Sequence, residues 1–279
     1  MALLQQLEID IARHMAAFKD GAVFVRVSDR SPKDGMPLLA QGETVSACFE
    51  KALATCPPDD ANAKMVILSD LQLRLLRCGS PRQVMNLLLT SERVIVDLLL
   101  ALDCYHVTEG ASWSTCVILR EWNDRLRGDF EFRVFVCDHK ITAISQYNHY
   151  CRFDSLCREM DDAAIEALRR QIVTYVTALQ PRIDESSYVV DVAMVEHQLF
   201  VIELNPFQTT TGAALFDWEC DDAILHGRTE DPLPAFRVRR EVMGYLGELV
   251  GELLREVSEI LPDPYDKYYD ICPIGHSLT

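Results

Sequence analysis

The chain has 279 residues, with 43 acidic against 27 basic side chains and a formal net charge of −16. That balance argues against a non-specific grip on nucleic acid, whose phosphates need a basic surface, and no apolar run is long enough to cross a bilayer. A hydrophobic content of 49% with 25% charged residues is that of a soluble globular protein large enough for one domain or two lobes. The start, MALLQQLEIDIARHM, has an amphipathic helical pattern and lacks the basic beginning of a signal peptide. Ten cysteines without a CxxC pair point to reduced, buried thiols, so a cytoplasmic location is expected.

In chain order, the spacing predicts a helix over 4–18 and a strand at Ala22–Val27, followed by turn chemistry at Ser31-Pro32-Lys33-Asp34-Gly35. Helical periodicity holds from Val45 to Asp103, broken at Cys56–Asp60 and at Gly79-Ser80-Pro81. Ser80 is the expected N-cap with Pro81 at the first helical position, and Ser91-Glu92 marks a further cap. Trp113–Trp122 reads as a strand. Glu131–Cys137 and Lys140–Gln146 form a hairpin about Asp138-His139, a register that sets Arg133 with Ile144 and Gln146 on the polar side. Asp161–Ala178 is a helix. Tyr188–Phe207 is a second hairpin, Ala214–Cys220 leads into a short helix, and Gly227–Pro234 is a polar loop. Glu241–Ile260 is a long amphipathic helix before the Pro- and Tyr-rich tail Leu261–Thr279. The order is that of an α+β protein, not the alternation of a Rossmann domain.

The hairpin Tyr188–Phe207 carries the chemistry. Val190, Val192 and Met194 alternate on one strand, and Phe200, Ile202 and Leu204 on the other, as an apolar face. Even positions then oppose even ones, which leaves Asp191 opposite or diagonal to Glu203, with Asn205 two residues on. Two carboxylates and an amide oxygen are hard ligands suited to Mg²⁺. A solvated sheet face would also be acidic, but Val189, Ala193 and Val201 share this side, and opposed carboxylates call for a cation. Arg26, Lys33, Arg120 and Arg133 lie on or beside strands and are candidates for nucleotide phosphates. Arg120-Glu121-Trp122 ends a strand of the kind that lines an adenine pocket. Histidines lack zinc spacing, and neither GxGxxG after a strand nor GxxxxGK[ST] occurs, which removes zinc, Rossmann and P-loop chemistry.

The blocks VFVRVSDRSPKDG, VILREW, FEFRVFVCDHKITAISQ, VVDVAM, VIELNPF and LFDWE, spanning about residues 22–220, occur in the order found in the cell division cycle protein 123 family, which this sequence resembles. The resemblance implies an ATP-grasp fold, with two lobes of antiparallel sheet enclosing a nucleotide cleft, and ATP with Mg²⁺ as ligands. It implies Asp191, Glu203 and Asn205 as metal ligands, Arg133 as a phosphate contact, and Arg120, Glu121 and Trp122 as the strand beside adenine. Arg26 stands where the family usually has lysine, and Ser31 and Lys33 lie in the turn over the phosphates. Glu203-Leu204-Asn205-Pro206-Phe207 replaces the family's usual Asp-Phe-Asn-Pro-Phe. The expected division is 1–110 as an N-terminal lobe with a helical insert, 111–226 as the ATP-grasp core, and 227–279 as a C-terminal helix and tail. The implied role is that of an assembly chaperone for translation initiation factor 2, through its gamma subunit. The alternative is an ATP-dependent carboxylate–amine ligase working through an acyl-phosphate, for which no catalytic residue is identified.

Overall fold

The computed structural model describes residues 2–28, 30–39, 43–107 and 114–259. The first half runs α1 (Ala2–Met15), β1 (Val23–Val27), α2 (Val45–Leu53), α3 (Ala61–Arg74), α4 (Pro81–Thr90), α5 (Glu92–Val107) and β2 (Val117–Glu121). The second runs β3 (Glu131–Cys137), β4 (Lys140–Gln146), α6 (Asp154–Cys157), α7 (Asp162–Leu179), β5 (Tyr188–Val195), β6 (Gln198–Pro206), α8 (Asp222–Leu225), β7 (Ala235–Arg237) and α9 (Leu246–Glu259). Secondary structure is therefore mixed α+β, as expected, and no described helix is long and apolar enough to cross a membrane. The chain divides into two units: Met1–Thr55, Leu71–Asn123 and the stretch from Glu252 on, and Cys56–Asp70 with Asp124–Gly251.

In the first unit β1 and β2 form an antiparallel pair with Phe24 opposite Arg120 and Arg26 opposite Ile118. Val23, Val25 and Val27 alternate inward against Ile11, Met15, Val84, Leu87 and Val94 from α1, α4 and α5. Capping follows the sequence: the Ser80 side chain accepts from Gln83 N at 3.3 Å, and Ser91 Oγ accepts from Val94 N at 3.2 Å. The expected strand Trp113–Trp122 is shorter, starting at Val117, while Trp113 lies outside the described residues.

The second unit is built on a five-stranded sheet of order β6-β5-β3-β4-β7. Both hairpin turns have φ above zero at two consecutive residues, Asp138-His139 and Glu196-His197, the backbone a tight two-residue loop requires. Each hairpin also carries an irregularity, between Phe135 and Val136 and between Asp191 and Val192. The first corrects the expected register. Phe135 pairs with Ala143 and Val136 with Ile141, so Thr142 is the extra residue, and Arg133 faces Ser145 and not the side of Ile144. The second makes Ile202 the extra residue, so β6 changes faces along its length; Leu199 is buried while Phe200 is 41% and Leu204 50% exposed.

One sheet face buries Phe132, Val134, Ile144, Val190 and Val192, with α7 alongside β4 presenting Leu168, Ile172 and Val176 from one stripe. The Asp161 side chain caps α7 by accepting from Ala164 N at 2.7 Å. The other face carries Phe135, Ala143 and Val189 under Phe216 and Leu225. The stretch Ala214–Cys220, expected to lead into a helix, is made of turns, with Asp217 Oδ1 accepting from Glu219 N and Cys220 N and the helix deferred to α8. Helix α9 starts at Leu246, not Glu241; β7 follows the polar loop as a parallel partner of β4 that the sequence did not signal. The tail Leu261–Thr279 lies outside the described residues.

Candidate functional site

Residues opposed in a β-ladder share a sheet face, so the register defines a row across the second unit's sheet. Arg237 of β7 faces Ser145 of β4, Ser145 faces Arg133 of β3, Arg133 faces Asp191 of β5, and Asp191 faces Glu203 of β6. The neighbouring row on the same face is almost wholly apolar: Ala235, Ala143, Phe135 and Val189, closed at the edge by Asn205. Near the turn the ladder pairs odd with even positions, against expectation; past the irregularity it takes the expected parity and brings Asp191, Glu203 and Asn205 together.

Solvation of these residues is unequal. Asp191 is 1% exposed, Glu203 and Asn205 are half-buried. A buried carboxylate needs a partner, and Arg133 provides one: Nε and Nη2 each donate to an Asp191 oxygen at 2.8 Å. The third arm of the guanidinium, Nη1, donates to the Gly212 carbonyl at 2.5 Å, and its plane lies 5.0 Å from the Tyr147 ring centre. Burial opposes the Arg133 charge, but hydrogen bonding and attraction from Asp191, with smaller help from Tyr147 and Glu203, outweigh it and raise its pKa. Asn205 Nδ2 donates to Asp191 Oδ2 at 3.2 Å.

Arg133, Asp191 and Glu203 together carry one net negative charge. A triphosphate would be repelled by that sum. A divalent cation added to it gives one net positive charge, to which a triphosphate is attracted. The donors themselves are hard ones of the kind such an ion takes, two carboxylates facing each other across the ladder and an amide two positions along, while both Asp191 oxygens are held by Arg133 in this structure.

The remaining candidates lie in the first unit. Phe24, Arg26, Ile118 and Arg120 share the face of the β1–β2 pair opposite its core, so the two cations are diagonal neighbours. Arg26 Nε donates to the Val27 carbonyl at 3.1 Å, and Trp122 N closes the strand end on the Ala22 carbonyl at 2.9 Å. Ser31 is buried and Lys33 exposed, in a turn fixed by its neighbours. Asp34 accepts from Ser91 Oγ at 2.6 Å and from Arg93 N at 3.0 Å, capping α5; Met36 N donates to Thr90 Oγ1 and Asn86 Nδ2 to the Met36 carbonyl. Sequence reasoning missed Asp34, Ser145, Gly212 and Arg237. Ser145 had only a faint local signal, as a hydroxyl directly after the largely apolar stretch Ile141–Ile144.

Comparison with known proteins agrees with this architecture. A family model described as D123 matches residues 56–242, two thirds of the chain. Cell division cycle protein 123 of Candida glabrata is 31% identical over 148 residues, covering 51% of this chain and 39% of that protein. A protein of Candida albicans named translation initiation factor eIF2 assembly protein is 30% identical over 104 residues, 37% of this chain and 29% of its own length. One of the same name from Danio rerio is 26% identical over 177 residues, 63% of this chain and 48% of its own. The chain thus spans less than half the length of these relatives. The solved structure of Cdc123 from Schizosaccharomyces pombe shares the fold, with a TM-score of 0.59 at 20% identity, covering 84% of this chain and 77% of that one.

Proposed function

Since this chain belongs to the D123 family, we propose that it is an ATP-grasp protein that binds ATP with Mg²⁺ and serves the assembly of translation initiation factor 2, with the gamma subunit as partner. The observation that carries the nucleotide part is the direct opposition of Asp191 and Glu203, with Asn205 beside them and Arg133 one strand away. In this reading Asp191, Glu203 and Asn205 hold Mg²⁺, which when bound supplies the positive charge that neutralises the phosphates. Arg133, which the resemblance implies as a phosphate contact, orients Asp191 through its two hydrogen bonds. Arg26, Ser31, Lys33, Arg120, Glu121 and Trp122 are proposed as the nucleotide contacts of the first unit. The assembly role draws support from the names of the relatives in Candida albicans and Danio rerio.

The test is calorimetric titration of ATP with and without Mg²⁺. Binding should need the metal, and Glu203→Gln should weaken it by about tenfold or more, the loss of one charged ligand. Equal affinity without Mg²⁺ and in Glu203→Gln would refute the metal site. For the partner, the gamma subunit should be retained by the wild type with ATP-Mg²⁺, without ADP appearing in proportion to complex formed. A mass gain on a substrate matched by ADP would favour the ligase chemistry instead.

A further inference from the structure

Three members of the polar row reach up to one loop. Arg133 Nη1 holds the Gly212 carbonyl; Ser145 Oγ, fully buried, accepts from Leu215 N at 3.0 Å; Arg237 Nη1 donates to the Leu215 carbonyl at 3.1 Å. Both polar groups of the Leu215 backbone are therefore held by side chains of the sheet. Arg237 also grips the end of the same loop, with Nη1 and Nη2 each donating to Asp221 at 2.7 Å, while its guanidinium lies 4.1 Å from the Phe216 ring centre. Asp221 in turn accepts from Asp217 N at 2.9 Å. Between the two anchored points sits Ala214 with φ +56, a left-handed backbone that a residue with a side chain adopts only when its surroundings impose it. At Gly212 an added Cβ would lie 3.3 Å from Arg133 Nη1, so the loop approaches the guanidinium as closely as a bare backbone allows.

We propose that Arg237 and Ser145 are positioning residues: by fixing Leu215 and Asp221 they hold the Gly212 carbonyl on Arg133, and so fix the guanidinium against Asp191. The loop then acts as a rigid strut between the far edge of the sheet and its acidic side. Neither residue touches Asp191 or Glu203 directly; their effect passes through the backbone of 212–215. A lysine at 237 keeps the charge but has no fork to hold Leu215 and both oxygens of Asp221 at once. The consequence for nucleotide rests on the ATP-Mg²⁺ reading above, whereas the strut itself does not.

The experiment compares wild type, Arg237→Lys, Ser145→Ala and the double variant without nucleotide. It reads amide hydrogen exchange along the chain and the NMR signal of the Arg133 Nε–H. Arg237→Lys should speed exchange at Leu215–Asp221 by about tenfold, leaving the β3 and β5 amides as they were, and should shift or broaden the Arg133 Nε–H signal. Because both side chains hold the same residue, Leu215, through its two flanking peptide groups, the double variant should fall short of the sum of the singles. In proteins that bind ATP-Mg²⁺, the dissociation constant should rise by about tenfold with the same variant. Unchanged loop exchange and an unmoved Nε–H signal in a folded Arg237→Lys would overturn the proposal. So would a uniform rise across the unit, which means global destabilisation, or a loosened loop with an unmoved Arg133 Nε–H signal. Loop and Nε–H effects in a wild type that never binds ATP-Mg²⁺ would instead refute the nucleotide reading and leave the strut standing.

Discussion

Replacing Arg133 by methionine removes the partner of a carboxylate that is 1% exposed. Two charge-assisted hydrogen bonds of 2.8 Å are lost at once, and the Asn205 amide, a single neutral donor at 3.2 Å, does not replace the lost charge. Breaking a buried pair from one side costs about 3–5 kcal/mol, because the abandoned charge stays in a poorly solvated place. For a domain whose whole stability is about 5–15 kcal/mol, that is a large share. Removing both charges is different. Arg133→Met with Asp191→Leu leaves no orphan, so the double variant should recover most of the loss. Urea denaturation followed by circular dichroism measures all three proteins, with slope and midpoint read separately. Mg²⁺ gives a further arm: the single Arg133→Met variant, now with two net negative charges at Asp191 and Glu203, should gain more stability from added Mg²⁺ than the wild type does. A single variant costing under about 1 kcal/mol, or a double variant costing the sum of both singles, would refute the account of a dry, mutually dependent pair.

Two other outcomes follow from local geometry. In Gly35→Ala the new Cβ would collide with the Leu87 backbone carbonyl oxygen, so the Ser31–Gly35 turn must lift off α4 at a cost of about 1–3 kcal/mol; an unchanged melting temperature would contradict it. Asp221 is held below the ordinary carboxylate range, chiefly by hydrogen bonds from Arg237, despite partial burial. A depressed pKa gives stability that is present above the unfolded value and lost as pH falls through the folded one, so the wild type should weaken below about pH 4. Asp221→Asn should flatten that part of the curve, and an identical acid profile in both proteins would count against the Arg237 pairing.

What could be read in advance was local. Ser80 before Pro81, Ser91 before Glu92 and the two-residue turns between alternating strands all act within four residues, and each lies where its chemistry demanded. The opposition of Asp191 and Glu203 was expected from the alternation of apolar residues and not from the turn, whose register alone would set Asp191 against Ile202; the extra residue Ile202 restores the expected pairing. The two irregularities were not, because one inserted residue in a strand answers to packing on both faces, and the strand's own composition hardly records it. Asp191 with Arg133 joins positions 58 apart in sequence through a third strand, and Arg237 reaches its loop from a strand of three residues. Such short parallel strands lack the length for a periodic signal.

The division of the chain has a consequence for how the protein is made. Each unit is assembled from separated stretches, the second from Cys56–Asp70 and Asp124–Gly251 with much of the first lying between them. A nascent chain leaving the ribosome cannot finish the first unit before starting the second, and the parallel pairing of β7 with β4 must wait some ninety residues after β4 emerges. Folding dominated by such distant closures is slow, and the exposed edge of β6 remains open to misassociation meanwhile. Fragments cut at a single bond should therefore be poorly folded, even where the cut falls cleanly between secondary-structure elements.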